Sequence, residues 1–353
     1  MNLLFLTSGT RAPSSRFRVL QYVPHLRKLG HRCTVWPSRP EKYESYRWLG
    51  WRLSERYRRW RRAWEIRQIP RRQFDVVLLE RELFDDPSWE QEAQLRNVAP
   101  ALVLDVDDGI HLRYPEKFAK VATFADRILA GNRLLQQVAA RYNAQVTMLP
   151  TCVDCERYQP RPFTALSEPR RPIIGWTGTS SNLPYLQSLA EPLQQLYAET
   201  PFELQVITDF SPSVRRFDMG IPTKLIRWSE KTELRDLAQF EIGIMPLPDD
   251  EWSRHKCGFK LIQYLATGIP AVASPVGVNR EIIQPGVNGE LAETSEDWKA
   301  ALQKLLQSSD LRLRYGQAGR QRIVERYSVQ SQLPTLVSAL QQAANHAESK
   351  RGE

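Results

Sequence analysis

The stretch from His255 to Gln263 reads His-Lys-Cys-Gly-Phe-Lys-Leu-Ile-Gln and gathers residue types that hold an anion. A helix is expected to start near Gly258 and to stop at Gly268, because glycine relaxes the backbone at both ends. Lys256 stands just before that start and Lys260 four residues later, a spacing that puts both ammonium groups on one face. Gln263 continues the face one turn on. A helix N-terminus adds N–H groups without intrahelical acceptors and the positive end of the dipole. Converged on one point, these groups suit a diphosphate. A second turn of this kind follows the buried run Ala271-Val-Ala-Ser, where Pro275-Val-Gly277 leads to Glu281-Ile-Ile. The residues by themselves define a strand–helix–strand unit that either binds an anion or simply packs.

Other constellations carry two readings each. Asp105-Val-Asp107-Asp108 has the D-x-D spacing of a metal-bound nucleotide site, yet Asp107 and Asp108 equally suit turn caps. Arg16 and Arg18 open a helix after the Ser14-Ser15 turn, where they meet phosphate or remain solvated. Trp228 ends a strand and is either a stacking surface for a nucleobase or a core residue. Cys152 and Cys155 form a C-x-x-C with no second pair to complete a zinc site. With four cysteines in 353 residues, the pair reads as coincidence and no disulfide framework is expected.

Charge is concentrated. The chain carries 49 Lys and Arg against 40 Asp and Glu, a net +9, and residues 47–72 alone hold ten arginines against Glu55 and Glu65, a surplus of +8. At helical spacing Leu49, Leu53, Tyr57, Trp60 and Trp64 share one face, with Arg52, Arg58, Arg59 and Arg62 away from it. Such a basic amphipathic stretch suits an anionic membrane surface. In the plainer alternative the Trp face packs on the first domain and the arginines are solvated. Nucleic acid is not expected as a partner, since no aromatic platform or recognised module accompanies the arginines.

The elements that must position these groups follow from periodicity. Residues 2–7, Cys33–Pro37, Asp75–Leu79, Ala101–Asp105, Arg127–Ala130 and Gln145–Leu149 read as strands between helical patterns. A helix is expected over Arg16–Leu29, stopped by Gly30. After a proline-rich break the alternation restarts with strands at Pro172–Trp176, Glu203–Ile207, Lys224–Trp228, Ile242–Pro246 and Ala271–Ser274. Continuous apolar runs of this kind belong to parallel sheets covered on both faces. The expected division is a first α/β domain over 1–160, a linker over 161–171 and a second α/β domain over 172–328. A helix over 329–345 packs back toward the first domain, and a disordered tail covers 346–353. Met1–Thr7 reads as a buried strand rather than a signal peptide, and no stretch approaches the length of a membrane span. A cytoplasmic protein is expected, with peripheral contact to the inner face of the membrane.

The chain resembles glycosyltransferase family 4, the glycosyl transferases of group 1, which have the GT-B fold. Ala266-Thr-Gly-Ile-Pro-Ala-Val-Ala, Gly277, Glu281 and Gly286-Val-Asn-Gly match the family's donor-binding core, and Trp298, Leu302, Tyr315-Gly, Gly319-Arg and Tyr327-Ser continue it. In the first half Gly30-His31, Ala125-Asp126, Gly131-Asn132 and Pro150 to Val153-Asp154 carry a weaker match. Two departures stand out. The family's Glu-x7-Glu positions hold His255 and Gln263, and its Arg and Lys after the first strand of the second domain are replaced by Gly175-Trp-Thr-Gly-Thr-Ser-Ser-Asn.

The resemblance implies two Rossmann-like domains facing each other across a cleft. It implies transfer of a sugar from a nucleoside-diphosphate sugar to a hydroxyl of a carbohydrate or lipid-linked acceptor. The reaction would be retaining, with neither metal nor further cofactor. On this reading His255, Lys256, Lys260 and Asp108 serve catalysis. Gly178, Thr179, Ser180, Trp228, Gly258, Gln263, Gly277 and Glu281 line the donor, while Arg16, Arg18, Asp107 and His111 lie on the acceptor side. The missing carboxylates keep open an inactive membrane-docking sensor or scaffold, and Lys256 and Lys260, which suit phosphate chemistry generally, keep open an epimerase or phosphorylase on the same fold.

Overall fold

The computed structural model describes residues 1–42, 44–160 and 171–352. The expected linker over 161–171 lies, Arg171 apart, outside the described residues. The chain forms two compact units, one of Met1–Cys152, His255–Cys257 and Val329–Glu353, the other of Val153–Arg254 and Gly258–Ser328.

Unit 1 is built on six strands: β1 (Asn2–Thr7), β2 (Arg32–Pro37), β3 (Val76–Glu80), β4 (Leu102–Val106), β5 (Arg127–Ala130) and β6 (Val146–Met148). They lie in the order β2-β1-β3-β4-β5-β6, and every pairing is parallel. Alternation divides each apolar run between two cores. Leu3, Phe5, Val76 and Leu78 enter one, while Leu4, Leu6, Val77 and Leu79 enter the other. The first of these cores is completed by Val329, Leu336, Ala339, Leu340, Ala343 and Ala347 of the helix Val329–Gly352. That helix runs on through the segment expected as a disordered tail, because Ala343 and Ala347 continue its buried stripe. The single helix expected over Arg16–Leu29 is divided into a π-helical turn, Ser15–Leu20, and a short α-helix, Val23–Lys28.

The arginine-rich segment forms the helix Gly50–Gln68. Leu53, Trp60 and Trp64 share a face as expected, but that face points outward. Arg58 and Arg62 are each 4% exposed, whereas Trp60 is 65%, Leu53 51% and Trp64 49% exposed. The inner arginines replace apolar packing with hydrogen bonds. Arg58 donates to the carbonyls of Pro40, Glu41 and Glu44, and Arg62 to those of Trp36 and Thr7 and to Glu65 Oε2 at 2.8 Å. The alternative with a packed Trp face is overturned.

Unit 2 holds β7 (Ile173–Thr177), β8 (Glu203–Thr208), β9 (Thr223–Arg227), β10 (Ile242–Met245), β11 (Ala271–Ala273) and β12 (Gly289–Leu291). The order β12-β11-β10-β7-β8-β9 is again wholly parallel. Strand order reverses between β7 and β10, and sheets of this kind bind ligands outside the carboxyl ends of the strands at such a reversal. Trp176, Leu204, Val206, Ile242, Ile244 and Val272 form its core with Leu302 and Leu305. β12 was not foreseen, since only Gly289-Glu-Leu291 of the Gly286–Leu291 turn is extended. Among the described residues, no helix is long and apolar enough to cross a membrane.

Candidate active site

In unit 2 the chain leaves β7 at the reversal point and enters the loop Gly178-Thr179-Ser180. The helix Phe259–Ala266 brings Lys260 to this loop in its first turn. Lys260 Nζ lies 5.5 Å from the centroid of the buried Trp176 ring. A Cβ at Gly178 would stand 2.9 Å from Lys260 Cε and 2.7 Å from the indole, so only glycine lets the loop pass this close. Gly258 caps the helix with φ +64°, a left-handed turn in which a side chain would also strike Ile282. The first N–H groups of a helix have no acceptor within it, and its dipole adds positive potential there. Cation, helix start and strand-end loop therefore lie together, an arrangement chemically suited to an anion such as a diphosphate.

The rest of the donor group behaves unevenly. Gly277 turns the chain after β11 at φ +52°, held by Asn279 Nδ2 donating to Ser274 O at 3.0 Å. Glu281 is exposed on the short helix that follows, and Arg322 donates to its carbonyl. Trp228 is half-buried beyond the end of the edge strand β9, so it is not a core residue. Two members are corrected. Ser180 donates its N–H and its hydroxyl to the two oxygens of Asp209, at 2.6 and 2.8 Å, so neither group awaits a donor. Gln263 is buried and donates to Glu233 Oε1 at 2.8 Å and to Tyr158 Oη at 3.1 Å, rather than facing ribose.

The segment His255–Cys257 belongs to unit 1. Asn132 Nδ2 donates to the carbonyls of His255, at 2.9 Å, and Lys256, at 3.3 Å, and Cys257 Sγ contacts Asp107 O at 3.1 Å. Burial pushes the Cys257 thiol up to about 12, with Asp107 adding to the shift, so it is an inert packing group. Lys256 thus precedes the left-handed Gly258 and lies outside the helix. The expected helical face shared with Lys260 does not exist, and only Lys260 is helical.

His111 meets His255 edge to face, with ring centroids 4.6 Å apart. Burial, the charge that His255 can carry and Arg141 lower His111 to about 4, so it is neutral at ordinary pH. Its buried Nδ1 has no hydrogen-bond partner among the described residues.

The acceptor-side arginine and carboxylates are mostly engaged. Arg18 grips Asp105 with Nε, at 3.0 and 3.2 Å, and with Nη2, at 2.5 Å, and donates to Leu149 O at 2.7 Å. Burial opposes its charge, yet Asp105 holds its pKa above the ordinary arginine value. Arg18 is therefore a structural ion-pair partner and not a phosphate ligand. Asp107 is held by Arg81 at 2.5 and 3.0 Å; burial raises its pKa, but Arg81 outweighs it and keeps the carboxylate below its usual range. Asp107 thus leaves the acceptor group as well. Asp108 Oδ1 accepts from Gly109 N at 3.0 Å, the turn-capping reading, with Arg81 3.5 Å from its other oxygen. Arg16 is buried with its guanidinium 4.8 Å over the Phe17 ring, so it is not a solvated surface group.

Several partners had no signal in the sequence. Trp176 looked like an ordinary strand residue, Arg81 like a loop charge, and Glu233, Tyr158 and Asp209 lie far in sequence from the groups they anchor. The Asn132 side chain was legible only as part of the Gly131-Asn132 match.

Residues 253–322 match the family model described as Glycosyl transferases group 1. That span includes His255, Lys256, Lys260, Gln263, Gly277 and Glu281. No curated protein sequence matches the chain. Among solved structures, it is similar to a glycosyltransferase from Rickettsia africae, with a TM-score of 0.71 and 14% identity over 97% of this chain and 98% of that one. It is also similar to sucrose-phosphate synthase from Thermosynechococcus elongatus, with a TM-score of 0.72 and 13% identity over 97% and 99% of the two chains. HepE of Anabaena, in complex with UDP and glucose, has a TM-score of 0.71 and 14% identity over 97% and 99%. The fold is GT-B, and the matched segment lies in unit 2 except for His255–Cys257.

Proposed function

We propose that this protein is a glycosyltransferase that moves a sugar from a nucleoside-diphosphate sugar to a hydroxyl acceptor. The observation that carries the reading is Lys260, set at a helix start against the Gly178 loop where the strand order of unit 2 reverses. Such a site binds a diphosphate and neutralises it as the sugar departs. HepE is described with UDP and glucose, so a uridine diphosphate hexose is the first donor to test. Lys260 carries the diphosphate, Gly258 and Gly277 shape the turns beside it, and Thr179, Trp228 and Glu281 line the remainder of the donor. His255, Lys256, Asp108, His111 and Arg16 are assigned to the sugar and acceptor.

Transfer is retaining and independent of metal, with the leaving diphosphate taking the acceptor proton. The acceptor is a carbohydrate or lipid-linked hydroxyl in glycan or glycolipid synthesis, reached by a peripheral protein at an anionic membrane face. A panel of UDP- and GDP-hexoses in the presence of EDTA tests this, with release of the nucleoside diphosphate as the readout. Turnover that is abolished by EDTA and rescued by manganese contradicts the metal-independent mechanism.

A second reading is favoured by Gln263, which is neutral and held through its amide nitrogen where the family carries a carboxylate. It is a sensor that binds donor without turnover, and binding without release in the same panel identifies it.

A further inference from the structure

We infer that the outward face of the helix Gly50–Gln68 is the element that docks the protein onto an anionic lipid bilayer, its Trp and Leu side chains entering the headgroup region between arginines. The inference rests on the reading above only in that it supplies the membrane contact; it does not depend on sugar transfer.

Leu53, Trp60 and Trp64 form one stripe of the helix and are among the most exposed large apolar residues described, with Trp48 just before the helix 81% exposed. Arg56 and Arg67 are exposed beside this stripe at helical spacing, and Arg52 is exposed on its flank. Exposed tryptophan is costly in water and is at home at the membrane interface, where ring and N–H are both accommodated. The two acidic residues of the helix are engaged elsewhere. Glu55 pairs with Arg58 and Arg59, and Glu65 with Arg61 and Arg62, so both carboxylates of the segment serve arginines on the inner side and flank. Among the described residues, none of Arg52, Arg56 and Arg67 takes part in an ion pair. Apart from Arg59 and Arg61, which are paired on the flanks, the arginines of the helix thus fall into two sets. Arg58 and Arg62 hold the helix onto unit 1, and Arg52, Arg56 and Arg67 present positive charge around the Trp stripe. Interleaved cations and interfacial aromatics complement an anionic lipid surface.

The test uses the full chain and vesicles of phosphatidylcholine alone or mixed with phosphatidylglycerol. Two variants change only exposed side chains: Arg52→Gln/Arg56→Gln/Arg67→Gln and Trp60→Ser/Trp64→Ser. Thermal unfolding should match wild type in both. The wild-type protein should sediment with the anionic vesicles, release in salt, and ignore phosphatidylcholine. Three arginines near such a surface make the charge variant about a hundredfold weaker. The Trp variant should lose the blue shift of tryptophan emission on vesicle addition. Failure to bind, equal binding to neutral vesicles, or unchanged binding by both variants overturns the inference. So does self-association that depends on Trp60 and Trp64, or retention of RNA, in the absence of vesicle binding. Release of diphosphate from a soluble donor should persist in both variants, so the docking claim and the transfer claim fail separately.

Discussion

Gln263 Nε2 lies 2.8 Å from Glu233 Oε1, with the Tyr158 hydroxyl donating to the same carboxylate oxygen at 3.2 Å. All three groups are buried, so the amide is the neutral donor that this carboxylate needs. Gln263→Glu would set two carboxylates against each other, and one must take up a proton or both must move. The expected outcome is a loss of about 2–4 kcal/mol of stability and no gain in turnover, although the change matches the family pattern more closely. Urea unfolding and donor turnover of this single variant check it.

Arg18 and Asp105 are a buried pair whose side chains are each 1% exposed. Removing one partner leaves the other charge without compensation, which typically costs about 3–5 kcal/mol. Arg18→Met and Asp105→Asn should each lower the denaturation midpoint strongly. The double variant Arg18→Met/Asp105→Leu should recover much of the loss, because no buried charge is then stranded. A double variant as unstable as the sum of the singles would mean that the pair is not an isolated structural unit.

His111 titrates at about 4 in the folded chain against 6.5 for an ordinary histidine, since burial, His255 and Arg141 disfavour the imidazolium. Between those two values the unfolded chain binds more protons at this residue than the folded one. Its contribution is therefore intact above 6.5 and is lost as pH falls toward 4. His111→Phe removes that dependence. Wild type should lose more stability than the variant between about pH 7 and about pH 5, as read from urea midpoints.

Strands and turns were legible because their causes are local. Apolar runs such as Val76–Leu79 and Ile242–Ile244 leave few conformations open, and Gly258, Gly268 and Gly277 mark turns that take positive φ. The orientation of the helix Gly50–Gln68 was not legible. Periodicity separates two faces but does not say which is inside, and here the backbone carbonyls of Trp36, Pro40, Glu41 and Glu44 offered arginine more than the core offered tryptophan. The same limit applies to Arg18, Asp107, Ser180 and Gln263. Each has a polar partner distant in sequence, and composition does not distinguish a free ligand group from an engaged one. Lys260 was legible as a cation near a helix start, but the indole beneath it was not.

The central claim is that Lys260, beside Gly178 and Trp176, holds a nucleoside diphosphate. Calorimetric titration of UDP into wild type and Lys260→Ala, both in EDTA, tests it most directly, with GDP as the alternative if UDP does not bind. A charge-assisted hydrogen bond contributes about 1.5–3 kcal/mol, so the variant should bind roughly 10- to 100-fold more weakly at unchanged thermal stability. Equal affinity in the two proteins, or no binding of either diphosphate to the wild type, would contradict the account.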